Sequence, residues 1–223
     1  MSKLFVAIDG PAGSGKSSVS KQAARELGWG YLDTGAAYRA LTWATQHLSG
    51  FSVEALAELD LPKVFDYQIS TNPDDYWVRV GATDVTDAIR ATEVAEAVSA
   101  VARVPQVREY MKWLTRDLVA RCEKPGIVVE GRDITTVVLP DASVRLLLTA
   151  SEEVRLKRRS AELGVAEQAK VARQVSQRDA SDAKVVDFMN PAEGVTLIDS
   201  SDLNFAQTVA AVLENIAKAA PKD

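Results

Sequence analysis

The sequence predicts an α/β fold: three layers around a central, mainly parallel sheet, with a small antiparallel β insertion and a helical lid. Three observations predict it. Short apolar runs alternate with helix-period segments along most of the 223 residues, as strand–helix–strand crossovers require. The first apolar run leads directly into Gly10-Pro-Ala-Gly-Ser-Gly-Lys-Ser17, which fits the phosphate-loop spacing G-x-x-x-x-G-K-[ST] and needs a strand before it and a helix after it. Between residues 61 and 90 the alternation gives way to β-rich runs separated by turn residues.

The elements follow in order. Leu4–Ile8 is apolar, ends at Asp9, and reads as a buried strand. Ser17–Leu27 places apolar residues at 19, 23, 24 and 27, a helical spacing. Gly28-Trp-Gly30 interrupts it, Tyr31-Leu32 begins a second strand, and Asp33 or Thr34 can N-cap a helix over Ala36–Leu48. Gly50–Leu61 reads as a loop with an amphipathic piece, Val53–Leu59. Val64–Ile69 and Tyr76–Val80 read as strands flanking the turn cluster Ser70–Asp75, and Gly81–Val85 can open a third. Helices are expected over Thr92–Val101 and Val107–Cys122, and further strands over Gly126–Glu130 and Val144–Thr149. Ser151 can cap the next helix, with Glu152 and Glu153 in its first turn. That helix carries Arg155, Lys157, Arg158 and Arg159 and continues through Glu167–Arg178, a basic segment suited to a lid over about residues 151–182. Val195–Ile198 is the last strand and Asn204–Ala219 the last helix. A core of residues 1–60 and 91–223, interrupted by an insertion at 61–90, is the expected organisation.

Composition narrows the function. A net charge of −5 gives no electrostatic footprint for nucleic acid or an acidic membrane. The chain has one cysteine, Cys122, and one histidine, His47, so it can form neither an intrachain disulfide nor a His/Cys zinc site. Both read as helix-end residues. Met1-Ser2-Lys3 leads straight into the first strand with no signal-peptide layout. No apolar run approaches the ~18 residues a membrane span needs. A cytoplasmic protein, acting as a monomer with no nucleic-acid or membrane partner, is expected.

The chemistry concentrates in three stretches. Gly10, Gly13 and Gly15 lack Cβ, so the backbone can turn tightly and bring N–H groups against an anion. The helix that follows adds its N-terminal dipole, Lys16 adds a point charge, and the Ser17 hydroxyl can ligate Mg²⁺. Asp33-Thr-Gly-Ala-Ala-Tyr-Arg39 forms a second helix start at a strand's carboxyl end, where ligands of α/β sheets bind, and Arg39 can reach back to an anion there. Gly131-Arg-Asp133 follows another strand directly and is either a structural ion pair or part of a site.

Gly10–Ser18, Asp33–Arg39, Glu130-Gly-Arg-Asp133 with Pro140-Asp-Ala142, and Arg178-Asp179 with Asp182 together resemble the bacterial cytidylate (CMP) kinases, from about residue 4 to residue 210. The resemblance implies a P-loop kinase fold in which the insertion belongs to the region that binds the monophosphate. It implies ATP as phosphoryl donor with Mg²⁺, and CMP or dCMP as acceptor. Gly10, Pro11, Ala12, Gly13, Ser14, Gly15, Lys16, Ser17 and Ser18 would hold the ATP phosphates. Thr34, Arg39 and Arg132 would hold the acceptor phosphate. Ser99, Arg108 and Asp133 would read the cytosine edge, and Arg178 and Asp182 would serve the phosphate and ribose. Arg155, Arg158 and Arg159 would be lid residues. Lys16, Arg39, Arg132 and Arg158 would neutralise charge during transfer. The chain departs from the family pattern twice: Lys184 is the sole cation near the position of a further family arginine, and Thr135 stands where the family usually has glycine.

A phosphate oxygen of CMP is already anionic, so the transfer needs no general base. Two alternatives fit the loop alone. One is a kinase for another monophosphate or a small metabolite, with Asp33 or Asp133 as base for a hydroxyl acceptor. The other is a nucleotide-binding switch, which the missing Asn-Lys-x-Asp run makes a poor fit for GTP.

Overall fold

The structure, a computed structural model, describes residues 3–163 and 188–219. In chain order the described elements are β1 (Leu4–Asp9), α1 (Lys16–Leu27), β2 (Gly30–Asp33), α2 (Thr34–His47), α3 (Leu61–Val64), β3 (Tyr67–Ile69), β4 (Val78–Val80), β5 (Thr83–Asp84), α4 (Thr92–Ala102), α5 (Pro105–Arg121), β6 (Gly126–Gly131), β7 (Val144–Thr149), α6 (Glu152–Leu163), β8 (Thr196–Asp199) and α7 (Phe205–Ala219). The chain divides into two compact units, Met1–Tyr31 with Glu123–Asp223, and Leu32–Cys122.

The first unit is built on the main sheet, ordered β2-β6-β1-β7-β8. β1 lies between β6 and β7 and runs parallel to both, and β8 runs parallel to β7. Val6, Ala7, Ile8, Ile127, Val128, Val129, Leu146 and Leu148 are fully buried. Burial on both faces is why these strands read as continuous apolar runs rather than alternating ones. α1 buries Val19, Ala23 and Ala24, and α7 buries Val209, Val212 and Ile216, each at helical spacing. Asn204 caps α7 by accepting from the Gln207 N–H at 2.9 Å.

The second unit holds α2, α4, α5 and the small antiparallel sheet β3-β4-β5. Phe65, Tyr67 and Tyr110 stack or meet edge-on beside it. The strand expected over Val64–Ile69 is shorter. Pro62 stands in the first turn of α3, whose turns run Lys63 N–H to Asp60 O and Phe65 N–H to Leu61 O, so Val64 closes a helix and the strand starts at Tyr67. The apolar run could not reveal this, because local hydrogen bonding after Asp60 decides it. β4 likewise starts at Val78 rather than Tyr76.

Candidate active site

In the first unit β1 ends at Asp9 and the chain turns through Gly10–Gly15 into α1. Gly13 and Gly15 sit at φ 76° and 84°, the left-handed region that glycine enters without a Cβ penalty. A Cβ on Gly13 would also stand 2.5 Å from the Arg155 carbonyl oxygen. No side chain caps the N-terminus of α1, so its first N–H groups and dipole suit an anionic ligand.

Lys16 and Ser17, the first residues of α1, converge on Glu130. The Ser17 hydroxyl donates to Glu130 Oε1 at 2.7 Å, the Tyr31 hydroxyl donates to the same oxygen at 3.4 Å, and Lys16 Nζ lies 3.7 Å from Oε2. Glu130 is 2% exposed near the end of β6. It received no role from the sequence. The available signal was a carboxylate at the end of an otherwise apolar strand, two residues before Arg132.

Arg132 Nη1 donates to the Gly10 carbonyl at 2.9 Å, and its guanidinium lies 4.4 Å from the Phe188 ring centroid. Asp133 precedes one wide turn, Ile134–Val138, a geometry frequent at functional sites. That turn is pinned by Asp9, whose carboxylate accepts from the Ile134 N–H at 2.9 Å, the Thr135 N–H at 2.8 Å and the Thr135 hydroxyl at 2.6 Å. Thr135 thus supplies the shortest of the three bonds. Burial pushes the Asp9 carboxyl above its ordinary value; the bonds from Thr135 and Ile134 oppose that rise and the nearby Asp133 charge adds to it.

Two arginines of α6 reach the same loop. Arg155 Nη1 donates to the Ala12 carbonyl at 3.0 Å, and Arg158 Nη1 donates to the Ser14 carbonyl at 3.2 Å. The side chain of Arg159, together with Arg178, Asp182 and Lys184, lies outside the described residues, as does most of the expected lid.

In the second unit Asp33 closes β2 and is 4% exposed. Its Oδ1 accepts from the Ala36 N–H at 3.1 Å and caps α2, while its Oδ2 pairs with Arg39 Nη2 at 2.7 Å. Thr34 is the first residue of α2. Ser99 lies on α4 and Arg108 in the first turn of α5, both half-buried. Tyr67, buried on β3, has its hydroxyl pushed well above the ordinary value, chiefly by burial, with Tyr76 and Asp33 adding and Arg39 opposing. The structure therefore brings Gly10–Ser18 together with Arg132, Arg158 and Glu130 in one unit, and Asp33 together with Arg39 in the other.

Among the described residues no group of three or more His, Cys, Asp or Glu side chains could hold a metal by itself. Ser17 and Glu130 offer a hydroxyl and a carboxylate, both hard oxygen donors, beside the loop. That sparse set fits an ion that keeps several waters and takes its remaining ligands from substrate phosphates.

The family model described as cytidylate kinase matches residues 6–218. The cytidylate kinase of Cutibacterium acnes is 42% identical over 215 residues, covering 96% of each chain. That of Rhodococcus opacus is 43% identical over 221 residues, covering 95% of this chain and 94% of the relative. That of Exiguobacterium sibiricum is 40% identical over 220 residues, covering 96% and 97%. Among solved structures, a Thermus thermophilus protein matches with a TM-score of 0.52 over the whole of both chains at 19% identity, a likeness of fold. No helix among the described residues is long and apolar enough to cross a membrane.

Proposed function

The chain belongs to the cytidylate kinase family, and we propose that it transfers the γ-phosphoryl group of ATP to CMP and dCMP, giving CDP and dCDP with ADP. The observation that carries this reading at the level of chemistry is the phosphate loop, with its uncapped helix start and with Lys16 and Ser17 converging on Glu130.

The loop N–H groups and Lys16 bind the donor phosphates, as preorganised dipoles that need no rearrangement when charge develops. Ser17 and Glu130 would hold Mg²⁺, which when bound supplies charge neutralisation at the phosphates. Thr34, Arg39 and Arg132 take the acceptor phosphate. Arg39 is oriented by Asp33, and its planar guanidinium fork matches the geometry of phosphate oxygens. Asp133 and Ser99 would accept from the exocyclic amine of cytosine, and Arg108 would also serve the base edge. Uracil presents a carbonyl there and leaves the acceptor-only Asp133 carboxylate unpaired. The resemblance adds Arg178 and Asp182 for the phosphate and ribose. The acceptor oxygen is anionic before it reacts, so these residues align the two nucleotides and neutralise charge rather than move a proton. We further propose that the protein acts as a monomer in the cytoplasm.

A coupled assay of ADP release against CMP, dCMP, UMP and AMP tests the reading. Turnover should depend on CMP or dCMP and be far weaker with UMP and AMP. ADP release that ignores the acceptor, or equal use of CMP and UMP, would overturn it. In the same assay Asp133→Ala should lower the CMP/UMP ratio of kcat/KM by at least about tenfold.

A further inference from the structure

The loop's N–H groups are effective only if they all face the ligand, and nothing in the glycines themselves enforces that. A trans peptide points its C=O and the next residue's N–H to opposite sides. Holding a loop carbonyl from one side therefore aims the following amide to the other. The Ala12 carbonyl shares its peptide with the Gly13 N–H, and the Ser14 carbonyl shares its peptide with the Gly15 N–H. Arg155 takes the first carbonyl at 3.0 Å and Arg158 the second at 3.2 Å. The two arginines are three residues apart on α6, on one helix face. The α6 backbone itself abuts the loop, since a Cβ on Gly13 would meet the Arg155 carbonyl.

Arg158 is also anchored behind the loop. Nη1 donates to Ser200 Oγ at 2.9 Å, and Nη2 donates to the Ser200 carbonyl at 2.9 Å and the Leu203 carbonyl at 3.3 Å. With Ser14, these contacts engage all four terminal N–H groups of the guanidinium. Ser200 is fully buried, and both its N–H and its hydroxyl donate to the Thr149 carbonyl at the end of β7, at 2.8 and 2.9 Å. A continuous path runs from the sheet through Ser200 and Arg158 to the phosphate loop.

We propose that Arg155 and Arg158 are positioning residues that fix the orientation of the Gly13 and Gly15 amides, with Ser200 tying Arg158 to the sheet. The inference rests on residues 10–18 being the ATP-phosphate loop. It moves Arg158 from direct neutralisation of the transferring group to preorganisation of the donor site.

Binding of ADP alone, without acceptor, separates the two roles. Calorimetry on wild type, Arg155→Lys, Arg158→Lys and Ser200→Ala is paired with amide NMR of the nucleotide-free proteins. Lysine keeps the charge but replaces the rigid planar fork with a compact ammonium that does not reproduce the guanidinium's reach and geometry. Each lysine variant should raise the Kd for ADP by about tenfold, and Ser200→Ala by about threefold. The Gly13 amide should shift in Arg155→Lys, and the Gly15 amide in Arg158→Lys and Ser200→Ala, before any nucleotide is added. If Arg158→Lys does not fold, Ser200→Ala carries the same two readouts. Wild-type Kd for ADP and unmoved glycine amides, with the loss confined to kcat, would overturn the proposal and return both arginines to direct contact with the transferring group. Failure of wild type itself to bind ADP would instead remove the ATP-loop reading on which the inference stands.

Discussion

β1 and β2 both end in a buried aspartate followed by a helix, yet the two turns are opposite in character. Asp33 stands immediately before α2, caps it through Oδ1 and pairs with Arg39 through Oδ2. The helix start is thus occupied by the chain's own carboxylate, and an anion at that turn must be met by arginine. Asp9 is separated from α1 by the glycine loop and turns its carboxylate to Ile134 and Thr135 instead. The start of α1 has no side-chain cap. A helix N-terminus binds a foreign anion when the chain withholds its own. The six residues of the loop decide which of the two a strand-end aspartate serves.

The comparison can be broken most forcefully at Lys16. Lys16→Ala leaves the open helix start intact but removes its charge, and turnover should fall by about 10²–10³ or more, measured as kcat/KM for ATP. At the other turn the expected effect is smaller and falls on the acceptor. Asp33→Asn keeps an oxygen for the cap but loses the ion pair with Arg39, so KM for CMP should rise about tenfold while KM for ATP stays. Asp33→Ala should match it in KM and lose about 1 kcal/mol more in unfolding free energy, the worth of the cap. Equal stability of the two variants would show that Asp33 does not cap α2.

The smallest effect concerns pH. Burial on folding raises the Asp9 pKa above its ordinary value, so the native state holds this proton more tightly than the unfolded chain does. The contribution of this group is complete below its unfolded pKa and is lost as pH rises through its raised folded value. The urea midpoint of wild type should therefore fall relative to that of Asp9→Asn, so that the gap between them changes, on going from about pH 4 to about pH 7. A constant gap would mean that Asp9 is as easily ionised folded as unfolded.

Sequence reading reached the parts of this site that are local. The glycine loop, the helix it opens and a cap at Asp33 or Thr34 are all specified within a few residues, and the strand over Val144–Thr149 is legible to the residue. What it missed lies across the fold. The Ser17–Glu130 bond spans 113 residues, the Asp9–Thr135 bonds 126, and the Arg158–Ser14 bond 144. No periodicity or spacing signals such pairs, because the parallel sheet brings together strand ends that are distant in sequence. Thr135 shows the limit well. As a residue it reads as a substitution in a loop, and only its place opposite Asp9 shows that its hydroxyl helps carry the turn behind Asp133.

The contrast between the two helix starts is tested most directly by following backbone amides while ADP and then CMP are added separately to the wild-type protein. ADP should shift the amides of Gly13 to Ser18 and leave that of Ala36, which Asp33 already holds, in place. A large ADP-induced shift at Ala36, with the loop amides unmoved, would contradict it.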